Sequence, residues 1–585
     1  MYPASHLVLL RRRFAVPALA AAAITGFGLP RTLGQAPTPP PGIEAAAQQA
    51  ERQQREQQDR RREDLRRATE AARPPTMIET PVTPKPQVNA RAAMRRRIDK
   101  VMIQGATRMP AAQRTKLSEA FSGRDVGVEE LQQLLTEITK FYIERGYVTT
   151  RAYVPDQDLS KGVLLILVVE GRVAQLQGIK FGNLIPTRVG DILNLRNLEQ
   201  GIDNLNRLQT HQATMDLAPG AKPGETDVVF RDQRSKPWHA SISADNTGSE
   251  GTGKDQISAT VVGEDLIGFG ESVSLTHRRS LDYHAGSQAS QSTSATLMLP
   301  WGYELFTAGG SDSSYALTTI SSAGSAFHIT GTNRSFFLRT DRVLYRGQTA
   351  RLGAYANLTW KASRSFFNGV AIDVSARDSA ILDLGVNYSR PLAGGFATLD
   401  GSISKGLSVL GATPGGHGLN VPEAEFTAFK LNASWSRTFN VHGVGLTYSS
   451  SLSSQWTNDV LYGSDQLTVG GIYAVRGFDR TNLAGDSGYV WRNDLSAMFR
   501  VPLFGPNHIL AVKPYAGFDQ GHAWTNLSAV PGFTPETGSL LGATGGLTLM
   551  YRQYNADLSY SESLARADAM AQEPGHFYFR VNASF

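Results

Sequence analysis

The sequence of 585 residues contains no cysteine, which excludes disulfide bridges and thiolate metal sites. The absence of cysteine fits an oxidising compartment, although it does not define one. The 11 histidines are scattered and lack the spacing of four that places two metal ligands on one face of a helix. We therefore expect neither a bound metal nor a cofactor.

Long apolar runs are also scarce. The first lies at residues 14–28, directly after arginines at 11–13, and small residues at 34–36 follow it. This order is typical of a secretory signal, which we predict over residues 1–36. The arginines leave open whether the general secretory or the twin-arginine route reads it. The signal holds four arginines and no acid, so its removal lowers the formal net charge from +6 to +2. That balance gives no indication of nucleic-acid binding.

Beyond the signal, no segment reaches the ~18 apolar residues that a membrane-spanning helix needs. A mature protein of this kind can therefore span a membrane only as a closed β-barrel, which satisfies its own backbone hydrogen bonds. From residue 238 onward apolar residues alternate with Gly, Ser, Thr, Asn and Asp, and examples are Trp238, Ala240, Ile242 and Ala244; Leu382, Leu384, Val386 and Tyr388; and Leu547, Leu549 and Tyr551. A soluble β-sandwich also alternates, but the polar residue types and the unbroken length favour a barrel of about 16 antiparallel strands over residues 236–585.

Residues 37–73 carry mostly Ala, Gln, Glu and Arg, with opposite charges four residues apart at Glu51 and Arg55. Such pairs support a solvated helix, which would fit a water-filled barrel lumen as a pore plug. The alternative is a disordered charged arm. Residues 74–94 begin with closely spaced prolines and are predicted to form an extended linker.

Two small α+β domains are predicted between the linker and the barrel. In the first, residues 95–173, periodicity predicts a strand, two helices and two strands, at 98–105, 110–121, 128–146, 151–154 and 163–169. The second, residues 174–235, is shorter and contains a helix at 197–208 and a strand at 227–230. The order of elements in the first domain is that of a POTRA module.

Two stretches resemble the POTRA domains of two-partner-secretion transporters. GYVTTRAYVPDQDLSKGVLLILVVEGRV, at 146–173, resembles the first POTRA domain, and LEQGIDNLNRL, at 198–208, resembles the second. The candidate motif residues are Gly146, Tyr147, Pro155, Gln157, Gly162, Glu170 and Gly171. The resemblance implies a periplasmic arm that captures an unfolded exoprotein, and exposed strand edges on such domains suit peptide binding by strand addition.

A cation held between glycines stands out in the barrel region. Arg476 lies in the segment VGGIYAVRGF, at 469–478, and Asp519 lies in GFDQG, at 517–521. An arginine and a carboxylate in a restricted interior gain from bidentate, charge-assisted hydrogen bonds. The alternative is a solvated arginine and an unrelated acid.

These two segments resemble the signature loop and strand motifs of the same transporters. The resemblance implies that the loop folds back into the lumen, where Arg476 meets Asp519 on the inner wall. Val475, Gly477 and Phe478 would shape the loop tip, and Gly517, Phe518 and Gly521 would complete the strand motif. The C-terminal segment, 577–585, alternates and ends on Phe585, which is similar to the assembly signal of outer-membrane barrels.

Two motifs with catalytic associations are judged structural. Residues 248–255 nearly form a phosphate-binding loop, but Asp255 replaces the hydroxyl that would hold magnesium, and no helix follows. Residues 485–488, GDSG, match a protease nucleophile signature without the histidine that a triad needs. We therefore expect a protein that is not an enzyme.

The resemblance covers essentially the whole mature chain and implies an outer-membrane transporter that secretes an exoprotein through its barrel. The implied partners are an exoprotein with an N-terminal secretion domain, the barrel-assembly machinery and outer-membrane lipid, and no nucleic acid. An outer-membrane insertase of the barrel-assembly type is the alternative, although it usually carries more POTRA domains. A passive porin would leave the periplasmic arm unexplained.

Overall fold

The computed structural model describes residues 95–585 except 179–181, 282–287, 321–325, 373–375, 417, 419, 480–481, 504, 506–507, 529–536 and 569. The predicted signal, charged helix and linker lie outside the described residues.

The first α+β domain contains the predicted helices and strands in the predicted order, and it adds a short strand pair that was not predicted. Its helices are α1 (Ala111–Phe121) and α2 (Val128–Glu144), and its strands are β1 (Arg96–Ile98), β2 (Lys100–Gln104), β3 (Arg124–Val126), β4 (Arg151–Tyr153) and β5 (Val163–Val169). The main sheet has the order β2-β5-β4. The single strand expected at 98–105 is instead two strands, because β1 pairs with β3 and leaves β2 to pair with β5. The apolar stripe of α2 packs on the sheet as the domain core.

The second α+β domain consists of β6 (Arg172–Gln177), α3 (Leu195–Asn206), β7 (His211–Pro219) and β8 (Glu225–Arg234), with the sheet order β6-β8-β7. Helix α3 begins two residues before the predicted position, because the Asn194 side chain accepts a hydrogen bond from the backbone N–H of Arg196, 2.9 Å away. Strand β8 is longer than predicted, and strands β6 and β7 were not predicted.

All but two of the remaining strands close into one antiparallel barrel with 16 strand positions around its wall, which confirms the expected number. Its strands are β9 (Trp238–Asp245), β10 (Gln256–Glu264), β11 (Ser272–Ser280), β12 (Ala289–Trp301), β13 (Glu304–Ile320), β14 (Ala326–Arg346), β15 (Arg351–Phe367), β16 (Val370–Ala371), β17 (Arg377–Leu392), β18 (Gly395–Leu407), β19 (Thr427–Val441), β20 (Val444–Thr457), β23 (Ser487–Ala497), β24 (Phe499–Pro502), β25 (Ile509–Trp524), β26 (Thr537–Tyr551), β27 (Tyr554–Ala565) and β28 (His576–Ser584). The short β16 pairs with the end of β15, and β24 continues the strand position of β23, so these two do not add to the count of 16. Two further short strands, β21 (Leu467–Thr468) and β22 (Ala484–Gly485), pair only with each other.

The two faces of the barrel differ as the alternation predicted. On neighbouring strands β17 and β18, Leu384 pairs with Ile403, and both side chains are exposed on the outer face. One residue earlier, Asp383 pairs with Ser404, and these polar side chains point inward and are hydrogen-bonded to each other. An apolar outside and a polar inside suit a lipid-embedded channel. Among the described residues, no helix is long and apolar enough to cross a membrane.

The second α+β domain is fixed to one mouth of the barrel by buried polar contacts. Arg346, at the end of β14, donates to Asp203 of α3 at 2.6 Å. Asn204 donates to the carbonyl oxygen of Gly302 at 2.8 Å, in the tight turn between β12 and β13. Because these groups are buried and bonded, the arm has a defined orientation at its base.

Candidate functional site: a loop seated inside the barrel

The connection between β20 and β23, residues 458–486, is here called the lumen loop. Its middle forms an apolar core with the inner wall, and the members are Leu467, Val469, Ala474, Val475, Phe478 and Leu483 of the loop with Val490, Ala523 and Leu540 of the wall. Val475 and Phe478, predicted to shape the tip, are almost fully buried there. An apolar core within a polar lumen gives the loop a fixed seat, since opening it would expose that surface to water.

Arg476 makes the central polar contact of the loop. Its Nε donates to Asp519 Oδ2 at 2.6 Å, and its Nη2 donates to Asp519 Oδ1 at 2.7 Å, so the pair is bidentate. Nη2 also donates to Asp494 Oδ1 at 2.8 Å, and the backbone N–H of Arg476 donates to Asp519 at 3.1 Å. Arg476 is 5% exposed and Asp519 is fully buried. The structure therefore brings together the two charges that the sequence singled out.

Glycines on the wall make room for this contact. A Cβ atom on Gly517 would lie 2.2 Å from Arg476 Nη2, and one on Gly521 would lie 2.2 Å from a methyl group of Val469. On the next strand, a Cβ atom on Gly542 would lie 1.8 Å from the carbonyl oxygen of Arg476. Gly477 adopts a φ of +99°, and a Cβ there would meet the backbone of β27. Any side chain at these positions would displace the loop.

Phe518 does not take part in the contact. It is 43% exposed and lies on the outer face of β25, because neighbouring residues of a strand point to opposite sides. The residues that sequence reasoning missed are Asp494 and Gly542. Asp494 stands opposite Gly517 in the register of β23 and β25, and Gly542 stands opposite Asp519 in that of β25 and β26. Their role depends on strand register, which local sequence does not reveal.

Other contacts tether the loop on different sides of the lumen. Asp479 forms an ion pair with Lys254 at 2.8 Å, and Asp465 forms one with Lys361 of β15 at 3.0 Å. The hydroxyl of Tyr473 lies 3.1 Å from that of Thr247. The loop therefore spans the lumen and is held at its tip and at its stem.

The GDSG motif forms the base of the lumen loop. Asp486 is fully buried, and its carboxylate accepts from the backbone N–H groups of Leu461 at 2.8 Å and Asn526 at 2.7 Å and from the Gln466 amide at 3.1 Å. Ser487 Oγ bonds to the backbone of Thr457. These contacts give both side chains a structural role.

Within the first α+β domain, several predicted motif residues hold its turns. The side chain of Gln157 bonds to both backbone groups of Leu165, with distances of 2.7 and 2.8 Å. The Pro155 carbonyl oxygen accepts from the same amide at 3.4 Å. Gly162 has a φ of +68° and ends the short turn before β5. The Gln157 side chain thus satisfies backbone groups of Leu165 that have no partner within the sheet.

Glu170 holds the opposite end of that domain. It accepts from the Tyr142 hydroxyl at 2.6 Å and from the backbone N–H of Arg108 at 2.7 Å. Burial, and then the hydrogen bond to Glu170, raises the pKa of Tyr142 well above its ordinary value. Tyr147 lies against Tyr142 in an edge-to-face contact, with ring centroids 5.9 Å apart.

Gly146 and Gly171 form the joint between the two α+β domains. The carbonyl oxygen of Gly146 accepts from the backbone N–H of Leu195, and that of Gly171 accepts from Leu193, both at 2.8 Å. A Cβ atom on Gly146 would lie 2.4 Å from Asn194 Oδ1, so only glycine fits there. The motif residues thus build the arm itself.

Phe585 lies at the seam where the last strand meets the first. The ladder between β28 and β9 has five residue pairs, fewer than the eight on either side. Phe585 lengthens it, since its backbone N–H donates to the Ala240 carbonyl oxygen at 2.7 Å and its own carbonyl oxygen accepts from Ala240 at 3.1 Å. The Asn246 side chain bridges the seam further along, bonding to the backbone of Phe577 and Phe579 at 2.8 Å each.

In the described part of the chain, no group of three or more histidines and acids is arranged to hold a metal ion. The segment that nearly matches a phosphate-binding loop forms the turn between β9 and β10.

A 16-stranded barrel with an apolar outer face, two α+β domains at one mouth and a loop folded into its lumen defines an outer-membrane barrel protein with a periplasmic arm. The model of the family described as haemolysin secretion/activation protein ShlB/FhaC/HecB matches residues 224–549. Models described as POTRA domain, ShlB-type, and POTRA domain match residues 97–171 and 170–219. The chain belongs to this family.

The similarity to individual proteins extends over most of the chain. The chain is 30% identical to the outer membrane transporter CdiB of Dickeya dadantii, over 80% of this chain and 83% of that protein. It is also 30% identical to the outer membrane transporter CdiB-2 of Burkholderia pseudomallei, over 75% of each chain. The solved structure of CdiB from Escherichia coli superimposes with a TM-score of 0.79 at 27% identity, covering 94% of this chain and all of that one. The protein is an outer-membrane transporter of the two-partner-secretion class, with its POTRA domains in the periplasm.

Proposed function

We propose that this transporter secretes one exoprotein that carries its own N-terminal secretion domain. The POTRA domains capture the unfolded exoprotein in the periplasm and pass it into the barrel. The proposal rests chiefly on one observation, the POTRA arm fixed by Arg346 and Asn204 at the mouth of a 16-stranded barrel with a polar lumen. Barrels of that size enclose an aqueous channel.

The Arg476 and Asp519 pair acts as a lock between the lumen loop and the wall. Val475, Gly477 and Phe478 shape the locked tip, while Gly517 and Gly521 leave room for it. Both members of this bidentate ion pair are buried, so separating Arg476 from Asp519 costs free energy. The loop therefore keeps one position until the exoprotein displaces it. Support for this role comes from the hydrogen bonds of Arg476 to two carboxylates.

From the sequence alone, we further propose that residues 37–73 act as a helical plug of the lumen, joined to the arm by the predicted linker at 74–94. If so, deleting 37–73 raises channel conductance in planar bilayers. Conductance equal to that of the intact chain would argue against the plug.

The remaining partners follow from the same function. Residues 1–36 direct the chain to the periplasm by the general secretory route, because a barrel must be delivered unfolded. The barrel-assembly machinery then recognises the C-terminal strand ending in Phe585 and inserts the barrel into outer-membrane lipid. The protein carries out transport without catalysing a reaction.

The test is secretion of an exoprotein with its own N-terminal secretion domain, which we expect to be encoded by a gene next to that of this chain. Cells with and without the transporter are compared for exoprotein in the medium and for assembly of other outer-membrane proteins. Loss of the exoprotein from the medium alone supports the proposal. A general defect in outer-membrane protein assembly would instead indicate an insertase.

A further inference from the structure

The turn between β10 and β11, residues 265–271, exposes three large apolar side chains. Leu266 is 60% exposed, Ile267 is 73% exposed and Phe269 is 45% exposed. Single exposed apolar residues are ordinary, but three within four positions at the end of a hairpin form a patch that indicates a binding partner.

The turn is built to hold these side chains outward. The buried carboxylate of Glu271 accepts from the backbone N–H of Ile267 at 2.8 Å and from that of Phe269 at 3.0 Å. Asp265 accepts from Gly270 at 3.0 Å. Two carboxylates thus fix the backbone, so the apolar tips cannot fold inward to cover one another.

The patch continues the lipid-facing surface of the barrel. A Cβ atom on Gly263 would lie 2.8 Å from Leu266 Cδ1, so Leu266 folds back over the wall at that position. Gly263 pairs with Trp238 on one side and with Val273 on the other, and both are exposed on the outer face. Tryptophan at the end of a barrel strand marks the level of the lipid headgroups. The apolar tips therefore lie at the headgroup level.

The other side of the turn is covered by the second POTRA domain. A Cβ atom on Gly270 would lie 2.8 Å from Leu184 Cδ2, and Asn183 donates to the Phe269 carbonyl oxygen at 3.0 Å. Asp265 forms an ion pair with Arg234 at 3.1 Å. One short turn thus joins the base of the arm and points its apolar residues away from it.

We propose that residues 266–269 insert into the periplasmic leaflet of the outer membrane as an interfacial anchor beside the arm. The partner is lipid at the boundary between headgroups and acyl chains, where buried apolar area drives insertion. Lipid is favoured over the exoprotein because Leu266 lies on the outer face of the wall, away from the lumen. Through Asp265 and Asn183, the anchor fixes the base of the second POTRA domain relative to the membrane surface.

The absence of cysteine allows a direct test on the full chain. Ile267→Cys is labelled with a polarity-sensitive fluorophore and reconstituted in vesicles of phosphatidylethanolamine and phosphatidylglycerol, with or without brominated acyl chains. Iodide is supplied on both sides of the bilayer as the aqueous quencher. Val261→Cys on the lipid-facing wall and Lys222→Cys in an exposed turn of the second POTRA domain are the controls. Phe269→Cys gives a second reading, and heat-modifiable mobility verifies insertion of each variant.

Brominated lipid is expected to quench the fluorescence of the label at 267 as strongly as that of the label at 261. This quenching should be at least about twofold stronger than that of the label at 222. Iodide is expected to quench it less than the label at 222. Iodide quenching equal to that at 222, without quenching by brominated lipid, would overturn the proposal. Protection from both quenchers would also overturn it, because the turn would then be covered by protein.

Discussion

At the scale of single residues, the site is a buried cation shared between two carboxylates. Asp519 receives three hydrogen bonds from Arg476, and Asp494 receives one. Removing one partner of a buried pair costs roughly 3–5 kcal/mol when the remaining charge is uncompensated. Here Arg476 would keep Asp494, and Asp519 would keep Arg492 at 3.9 Å, so we expect a cost toward the lower end of that range.

Arg476→Lys is expected to weaken the seat although it keeps the positive charge. A lysine ammonium cannot reproduce the planar fork that meets both oxygens of Asp519. We expect Arg476→Lys to expose the loop to added protease at concentrations that leave the wild type intact. Arg334→Lys, in an exposed pair with Asp312, is the control and should have no effect. Equal resistance of Arg476→Lys and the wild type would show that charge alone suffices.

A second residue-scale prediction concerns Gly542, where a methyl group would collide with the loop backbone. We expect Gly542→Ala to displace the loop and raise channel conductance in planar bilayers. Gly545→Ala is the control. Gly545 lies on the same strand, no atom lies within 4 Å of a Cβ added there, and the substitution should leave conductance unchanged. Equal conductance of the two variants would contradict the seat described for the loop.

At the scale of the elements, the lumen loop is held at its tip by Arg476 and at its base by Asp486. The base carboxylate accepts two backbone N–H groups and one amide, and these belong to the loop and to the segment after β25. The two ends are separate contacts, so each can be weakened without removing the other.

Asp486→Ala is expected to loosen the base of the lumen loop while the Arg476–Asp519 pair continues to hold its tip. The backbone N–H groups of Leu461 and Asn526 lose their acceptor, at a cost of about 1–3 kcal/mol for a buried unsatisfied group. Hydrogen exchange of residues 458–466 should accelerate, while that of 474–478 should not. Acceleration of both segments together would mean that base and tip open as one unit.

The alternation of β17 or β28 allowed the faces of the wall to be predicted from sequence, because period 2 is a local property. The pairing of Arg476 with Asp519 was expected from resemblance, since no local rule joins residues 43 positions apart. Asp494 and Gly542 were missed because their contacts arise from register between strands. Strand β7 was missed although Ala213, Met215 and Leu217 alternate along it and pack on the domain core.

At the scale of the whole molecule, the arm and the barrel share a polar joint. Arg346 is almost fully buried and bonds to Gln200 and Asp203 of α3, while Asn204 bonds to the turn at Gly302. A joint of buried hydrogen bonds has a specific geometry, so the second POTRA domain is held at a fixed point of the barrel mouth, as the proposed delivery of an exoprotein requires.

Arg346→Ala is expected to release the arm. A pair of spin labels is attached to cysteines introduced at Lys222 and Thr340 of the same chain. The distribution of distances between them should be broader in Arg346→Ala than without that substitution, because Asp203 loses its buried partner. Arg342→Ala, on the same strand but paired with Glu304 on the exposed side, is the matched control. A distribution as narrow as that of the wild type would show that the other contacts suffice.

The central claim is that the barrel exports an exoprotein and that the loop lock serves this export. The most direct test compares secretion of the proposed exoprotein partner by cells carrying the wild type, Arg476→Ala or Asp519→Ala, with insertion verified by heat-modifiable mobility. We predict that both variants insert and that the exoprotein is lost from the medium. Secretion at the wild-type level by inserted variants would contradict the role of the lock, and failure of other outer-membrane proteins to assemble would contradict export itself.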